Sequence, residues 1–383
     1  MRKKKRVAIL ADFPWSFFSE GETGRGGGQQ ATWLSQVALE FGQSRDFEFH
    51  WVTLDRELFF GRTRRMEWLG QWFHNIPVWR RKPDIALGYS PSRLLLAREL
   101  RRIRPDLVHA WGTESPYPVV FPEVRVPKVL SMQGVLTYLD SKNHLPNTWM
   151  WRRMAAMERG MLQSATLVTC ESRWAMDRVL EIVPGMETRQ VEYGVNPRFY
   201  GIRSEPDYLK PYAYFAGTLA AYKGVDVLLD AVRMVKNRGW ELKIAGDGPL
   251  RDAVVSCGIP GVEWLGVLRW PDLQEVMRKA VCLVHPTLAD SSPNVVKEAR
   301  VVGIPVITTP HGGQAGYIHD GENGMIVDPL NAGNLAAALE RMLGDPDLAR
   351  RLGGTRHAAD REYFLPRKTA EGFFKIYHEL LRR

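Results

Sequence analysis

Nine residues in the second half of the chain, Asp290-Ser-Ser-Pro-Asn-Val-Val-Lys-Glu298, place two carboxylates eight positions apart around a serine–proline pair. Serine suits a helix N-cap, and proline suits the first helical position, where its missing N–H would have had no partner anyway. The spacing predicts a helix that starts at Ser292 and Pro293. Glu298 then lies about five residues in, roughly 7.5 Å along the axis at 1.5 Å per residue. That separation is comparable to a diphosphate group, and the exposed N–H groups and positive dipole end of such a helix suit an anion. One carboxylate could hold hydroxyls at one end of the ligand and the other could hold hydroxyls at the far end. Taken alone, the pattern reads equally simply as a solvated acid beside a cap and an ordinary helix acid. The flanking segments decide between the two.

Upstream, Tyr214-Phe-Ala-Gly217-Thr-Leu-Ala-Ala-Tyr-Lys223-Gly224-Val-Asp226-Val-Leu-Leu-Asp-Ala231 reads as a short strand, a loop with one lysine, and an amphipathic helix. Leu242-Lys-Ile-Ala-Gly246-Asp247-Gly248-Pro249-Leu250 reads as a strand closing in a glycine turn. Downstream stand Gly303-Ile-Pro305-Val-Ile-Thr308, Gly312-Gly313 and Asp320-Gly-Glu-Asn-Gly324-Met-Ile-Val-Asp-Pro329. In this order the segments resemble the nucleotide-sugar half of glycosyltransferase family 4, retaining enzymes of the two-Rossmann-domain architecture called GT-B. The resemblance is dense from about Tyr212 to Leu343 and diffuse before that. One such motif is weak evidence, whereas several in order are strong.

The resemblance implies roles. Lys223 matches the family's lysine that neutralises a departing diphosphate, work that a cation and a helix N-terminus can do without a metal. Glu298 matches the carboxylate that bridges ribose hydroxyls, and Asp290 stands where relatives carry a glutamate that reaches the transferred sugar. Asn294 and Val295 would offer backbone N–H groups to the diphosphate. Gly217 and Thr218 share the lysine's loop, Gly246 and Gly248 let backbone approach base or ribose, and Val267 and Leu268 lie where the family contacts the base edge. Two positions depart from the pattern. Thr218 replaces an arginine five residues before the lysine, and Asp290 is one methylene shorter than the usual glutamate.

In the first half, Gly27 and Gly28 belong to a loose match to the family's glycine-rich loop, which faces donor phosphate and acceptor. His109 ends a strand, and relatives often show a second histidine at the place of Trp111 and a histidine at that of Gln133. His109, Trp111 and Gln133 are therefore acceptor-side candidates, and His109 joins Lys223, Asp290 and Glu298 as a catalytic candidate. A histidine at a strand's carboxyl end borders the crevice of an open α/β sheet; a packed core histidine is the equal alternative.

With 383 residues the chain has room for two domains of ordinary size. No run approaches the eighteen or so apolar residues of a membrane helix. Val7 to Ala11, after the basic Arg2-Lys-Lys-Lys-Arg6, is too short for a signal-peptide core. Cys170, Cys257 and Cys282 fit neither a zinc pattern nor a disulfide framework, so a reducing cytoplasm is expected, with no metal and no cofactor. Of the net charge of +9, residues 1–200 hold +8, together with ten of the thirteen tryptophans. Arg62, Arg64 and Arg65 precede Trp68 and Trp72. Basic residues interleaved with tryptophan suit an anionic membrane, here its inner face; a soluble face with tryptophans in the core is the even alternative. Without a helix-turn-helix, zinc-finger or RNP signature, nucleic acid is not an expected partner.

Strands are predicted at 7–12, 47–54, 105–109, 128–133 and 165–170, and helices at 30–41, 93–104, 147–163 and 173–182. The aromatic, basic stretch 58–92 stays unassigned. This βα alternation implies a doubly wound parallel sheet, and 194–211, rich in turn signals, reads as a linker. The expected fold is α/β, two Rossmann-like doubly wound parallel-sheet domains facing a cleft: 1–200 on the acceptor side, 201–355 binding the nucleotide-sugar, and a helical tail, 356–383, crossing back to the first. The expected function is retaining, metal-independent hexosyl transfer from a UDP- or GDP-sugar to a glycan or lipid-linked acceptor, in polysaccharide or glycolipid assembly. The alternatives are an epimerase or phosphorylase of the same architecture and a noncatalytic carbohydrate-binding relative.

Overall fold

A computed structural model describes residues 4–15, 18, 32–55, 62–78, 81–236, 239–328 and 331–383. Gly27 and Gly28 lie outside the described residues. The chain divides into two compact units, Met1–Gly194 with Pro366–Arg383, and Val195–Leu365.

The first unit is built on an eight-stranded sheet: β1 (Lys5–Leu10), β2 (Phe47–Asp55), β3 (Arg64–Trp68), β4 (Gln71–Pro77), β5 (Leu107–Trp111), β6 (Lys128–Ser131), β7 (Leu167–Cys170) and β8 (Thr188–Gln190), in the order β3-β4-β2-β1-β5-β6-β7-β8. β1 lies at its centre, with Val7 paired to Phe49 of β2 and to Leu107 of β5. Val7, Ala8, Ile9 and Leu10 are all fully buried. A strand covered on both faces has no solvent side, so it reads as an unbroken apolar run. Alternate residues feed opposite layers. Ala8 and Leu10 pack with Leu96 and Leu100 of the helix Ser90–Ile103, while Val7 and Ile9 pack with Val37 of Thr32–Phe41 and with Phe373 of Pro366–Leu380.

The unassigned stretch contains β3 and β4, the one antiparallel pair of this sheet among the described residues. Its basic and aromatic residues are partly structural. Arg65 donates two hydrogen bonds to Glu99, at 3.1 and 2.9 Å, and Trp68 packs edge-on to Phe73 and Phe18. Trp51 and Trp111 are core residues. Arg62, Arg64, Arg65 and Trp72 are all exposed, the Arg65 guanidinium being engaged by Glu99, whereas Trp68 is half-buried. No helix of the described residues is long and apolar enough to cross a membrane.

The second unit has six parallel strands: β9 (Tyr212–Ala216), β10 (Glu241–Ala245), β11 (Val262–Gly266), β12 (Cys282–His285), β13 (Val306–Thr308) and β14 (Gly324–Ile326), ordered β11-β10-β9-β12-β13-β14. The chain winds outward from β9 to β11, returns to lay β12 beside β9, and winds outward the other way. Loops leaving the carboxyl ends of β9 and β12 therefore part in opposite directions, which opens a crevice at that point. In the first unit β1 and β5 are the equivalent pair.

Three boundaries differ from those read in the sequence. The units part at Gly194 and Val195, because the 3-10 turn Pro197–Gly201 belongs to the second unit through buried Phe199. The tail is shared: His357–Tyr363 stays with the second unit, and only the helix beginning at Pro366 joins the first. The helix after β12 runs Asn294–Val302 with Pro293 as its cap and no side-chain cap bond, one residue later than the serine–proline pair suggested. Arg300 anchors this helix. It is fully buried, donates to Asp360 at 2.8 Å, and donates to the carbonyls of Ile304, Leu352, Gly353 and Thr355. Removing one partner of a buried ion pair leaves the other charge uncompensated. Asp360→Ala should therefore cost about 3–5 kcal/mol, read by denaturant unfolding; a loss below about 1 kcal/mol, the scale of a surface pair, would contradict this role.

Candidate active site

Lys223 ends a 3-10 turn, Ala221–Lys223, on the loop that leaves β9. Gly224 follows at φ +72°, and a Cβ there would lie 2.1 Å from the carbonyl oxygen of Pro286. Only glycine lets this turn press against the loop after β12. The Leu288 N–H then donates to the Tyr222 carbonyl at 2.8 Å, and the Thr287 hydroxyl donates to the same oxygen at 3.2 Å. With the loops tied backbone to backbone, Lys223 Nζ reaches Asp290 Oδ2 in a direct ion pair, both side chains about 15% exposed.

Burial alone would push the Asp290 carboxyl up. The Lys223 cation and His285 outweigh it and hold Asp290 well below the usual carboxylate range. Burial likewise pulls Lys223 down, but Asp290 outweighs it and Lys223 ends above its ordinary value. Both partners shift toward the charged form, so the pair is ionised. His285, the last residue of β12, has its Nε2 3.6 Å from the same Asp290 oxygen, beyond hydrogen-bond reach. Neither of its ring nitrogens has a hydrogen-bond partner among the described residues. Burial pulls this imidazole below its ordinary value.

Glu298 sits on the second turn of the helix Asn294–Val302, half-buried. Burial pushes its carboxyl up to about 7, against a small opposing effect of Lys297, and its charge acts on the buried phenol of Tyr214. Asn294 is exposed and Val295 half-buried at the start of the same helix. The β9 and β10 loops stack closely: Gly217 N–H donates to the Ala245 carbonyl at 3.1 Å and Leu219 N–H to that of Asp247 at 3.0 Å. A Cβ at Gly246 would fall 1.9 Å from the Gly217 oxygen, so this approach also needs glycine. Thr218, Gly217 and Val267 are exposed on these loops, and Gly248 and Leu268 are half-buried. All eleven donor-side candidates thus follow the carboxyl ends of β9 to β12, on the loops and on the first turns of the helix after β12.

The first unit corrects two candidates. His109 is fully buried, hydrogen-bonded through Nδ1 to the Tyr377 hydroxyl and through Nε2 to the Ser131 hydroxyl, each at 2.6 Å. Burial holds it well below its ordinary value, so it is neutral. Trp111 stacks on it and donates to the Tyr193 hydroxyl at 2.8 Å. These residues tie β5 and β6 to the C-terminal helix, and both ring nitrogens of His109 are committed. Gln133 alone of the three stays half-exposed, near Glu114, a carboxyl that the motifs had not flagged. Glu114 accepts from the Gly134 N–H at 2.8 Å and is pushed up to about 7, by burial first and with Glu158 and Asp12 adding. It follows β5 and Asp12 follows β1, at this sheet's own switch point. The signal that could have found it is an acid a few residues past a strand end: Glu114 lies five residues beyond the predicted strand 105–109 and three beyond the observed end at Trp111. Among the described residues no group of three His, Cys, Asp or Glu is arranged to hold a metal.

Two sheets of this type, one with a lysine, carboxylates and a helix N-terminus at its switch point, define a GT-B glycosyltransferase. Residues 30–199 match the family described as Glycosyltransferase Family 4, and residues 210–345 match Glycosyl transferases group 1. The chain belongs to glycosyltransferase family 4. It is 24% identical over 348 residues to an uncharacterized glycosyltransferase of Methanocaldococcus jannaschii, spanning 88% of this chain and 91% of that one. It is 26% identical to a sulfoquinovosyl transferase of Arabidopsis thaliana, over 75% of this chain but only 58% of the relative's length. A sucrose-phosphate synthase structure from Thermosynechococcus elongatus superposes with a TM-score of 0.79 at 16% identity, covering 99% of this chain and 100% of that one. The Anabaena protein HepE, solved with UDP and glucose, superposes at 0.72 and 15%, covering 98% and 100%.

The raised Glu298 has a stability consequence. Its carboxyl ionises near 4.5 in the unfolded chain and near 7 in the fold, so its contribution is full below about 4.5 and is lost as pH rises through about 7. Glu298→Gln removes that loss. The variant should melt above the wild type at about pH 8, by the equivalent of about 1–3 kcal/mol, and the two should converge toward about pH 4. A difference independent of pH would contradict the assignment.

Proposed function

We propose that this glycosyltransferase moves a sugar from a UDP- or GDP-sugar to a glycan or lipid-linked acceptor, with retention of anomeric configuration and without a metal. The observation that carries the reading is the half-buried Lys223–Asp290 pair at the β9–β12 switch point, directly before the helix that bears Glu298. Lys223 and the N–H groups of Asn294 and Val295 would meet the diphosphate, Glu298 the ribose hydroxyls, and Asp290 a hydroxyl of the transferred sugar. As the bond from anomeric carbon to phosphate oxygen breaks, its electron pair leaves with the diphosphate. The acceptor oxygen bonds to the anomeric carbon on the same face, and its proton passes to the departing phosphate. Aligned donors and a cation at the site of developing charge are the largest stabilising effect open to such a step. The structures of HepE with UDP-glucose support a nucleotide-sugar donor. Thr218 leaves this site one cation short of the family pattern, and a chain that binds the donor without turnover is the noncatalytic alternative.

A thermal-shift screen of UDP- and GDP-sugars tests the reading, since ligand at 100 times its Kd adds about 2.7 kcal/mol of stability. Lys223→Gln keeps a donor for Asp290 and removes the cation. With the matching donor it should lower turnover about 10²–10³-fold while melting close to the wild type without ligand. A folded Lys223→Gln variant with wild-type turnover would sink the proposal.

A further inference from the structure

One oxygen, Asp290 Oδ2, has two claimants. Lys223 Nζ holds it, and His285 Nε2 waits 3.6 Å away. The ring of His285 is 2% exposed, lies parallel to that of Phe215, and has no hydrogen-bond partner for either nitrogen among the described residues. A buried imidazole with no partner is unfavourable relative to one that is satisfied, so a fold that keeps one beside a carboxylate has a reason to be sought in another state of the site. The same ion pair poses a second problem. A lysine neutralised by aspartate is not free to neutralise a phosphate, and pulling it away strands a buried carboxylate, which is strongly unfavourable.

One movement removes both difficulties. We propose that His285 is a positioning residue that takes over Asp290 when a nucleoside diphosphate draws Lys223 away, closing the remaining gap so that Nε2–H donates to Oδ2. The proposal rests on the donor-site reading above and extends it to a residue outside the family's motif. The charges balance: lysine passes from carboxylate to phosphate, and the carboxylate passes from ammonium to imidazole. Two charged groups act on His285. Lys223, from the turn after β9, opposes its protonation, and Asp290, from its own loop, favours it. Of the strands on either side, β9 presents Phe215, and β13 presents Thr308, whose hydroxyl donates to the His285 carbonyl at 2.9 Å. When Lys223 turns to the phosphate, the opposing cation is compensated and the carboxylate is left to the imidazole. His285 should then gain proton affinity, and binding should draw a fraction of a proton from solution.

The experiment is titration calorimetry of the full chain with UDP and with GDP, continuing with whichever binds more tightly, at about pH 6.5, where imidazole titrates. Two buffers of different ionisation heat give the number of protons exchanged. The ligand's own ionisation is common to all variants, so differences between proteins isolate His285. The wild type should take up more protons than His285→Gln, which can donate to Asp290 but cannot be charged. His285→Gln should stay within about threefold of wild-type affinity, while His285→Leu should bind about tenfold more weakly, the loss of one hydrogen bond. Melting curves confirm that each variant is folded. Equal proton counts and equal affinities in all three overturn the exchange while leaving the donor site standing. A wild-type chain that binds neither nucleotide overturns both.

Discussion

A lysine and an aspartate can be enclosed together at the end of a parallel sheet only if their loops meet closely enough for each charge to compensate the other. Here the requirement is met in the backbone. β9 and β12 are neighbours in the sheet though two strands, β10 and β11, lie between them in the chain, so their loops leave side by side. Gly224 lets the first loop touch Pro286 of the second, and the bonds from Leu288 and Thr287 to Tyr222 clamp the contact. Lys223 and Asp290 then pair without reaching. Widening either loop would separate the two charges, and the donor-side residues would no longer share one edge.

The helix that follows depends on a second cation. Arg300, two residues past Glu298, is spent on Asp360 and four carbonyls. It fixes the rotation of the helix Asn294–Val302, so that Glu298 lies at the edge of the crevice with its carboxyl poorly solvated. A half-buried carboxyl with a raised proton affinity is costly to ionise when empty and well placed to be satisfied by hydroxyls. The two cations thus differ in setting: Arg300 is fully buried and tied to the scaffold, while Lys223 is half-buried and meets the single carboxylate of Asp290.

Most strands of both sheets and the glycine turns after them were legible because their signals are local. A doubly buried strand such as Val7–Leu10 announces itself as an apolar run, and Gly246 and Gly224 mark close backbone approaches that no other residue permits. What stayed hidden depends on tertiary partners. His109 looks the same in sequence whether it borders a crevice or bonds to Tyr377, which lies 268 residues away. Arg65 reads as surface charge until Glu99 is placed opposite it. β3 and β4 escaped because β3 is an exposed edge strand and β4, though mostly buried, carries Gln71, His74 and Asn75 among its apolar residues, so neither shows the run that marks the other buried strands. Glu114 and His285 belong to no motif; each stands out only once a neighbouring strand end is brought beside it.

The central claim is that the Lys223–Asp290 pair is the resting form of a diphosphate site. A structure of the protein with a bound nucleoside diphosphate tests it most directly. The account predicts the terminal phosphate within hydrogen-bond reach of Lys223 Nζ and of the first N–H groups of Asn294–Val302, the ribose against Glu298, and Lys223 turned from Asp290. A nucleotide bound instead in the wide depression beside Trp240 and Ile259, at the amino ends of the same strands, with Lys223 still held by Asp290, would contradict it.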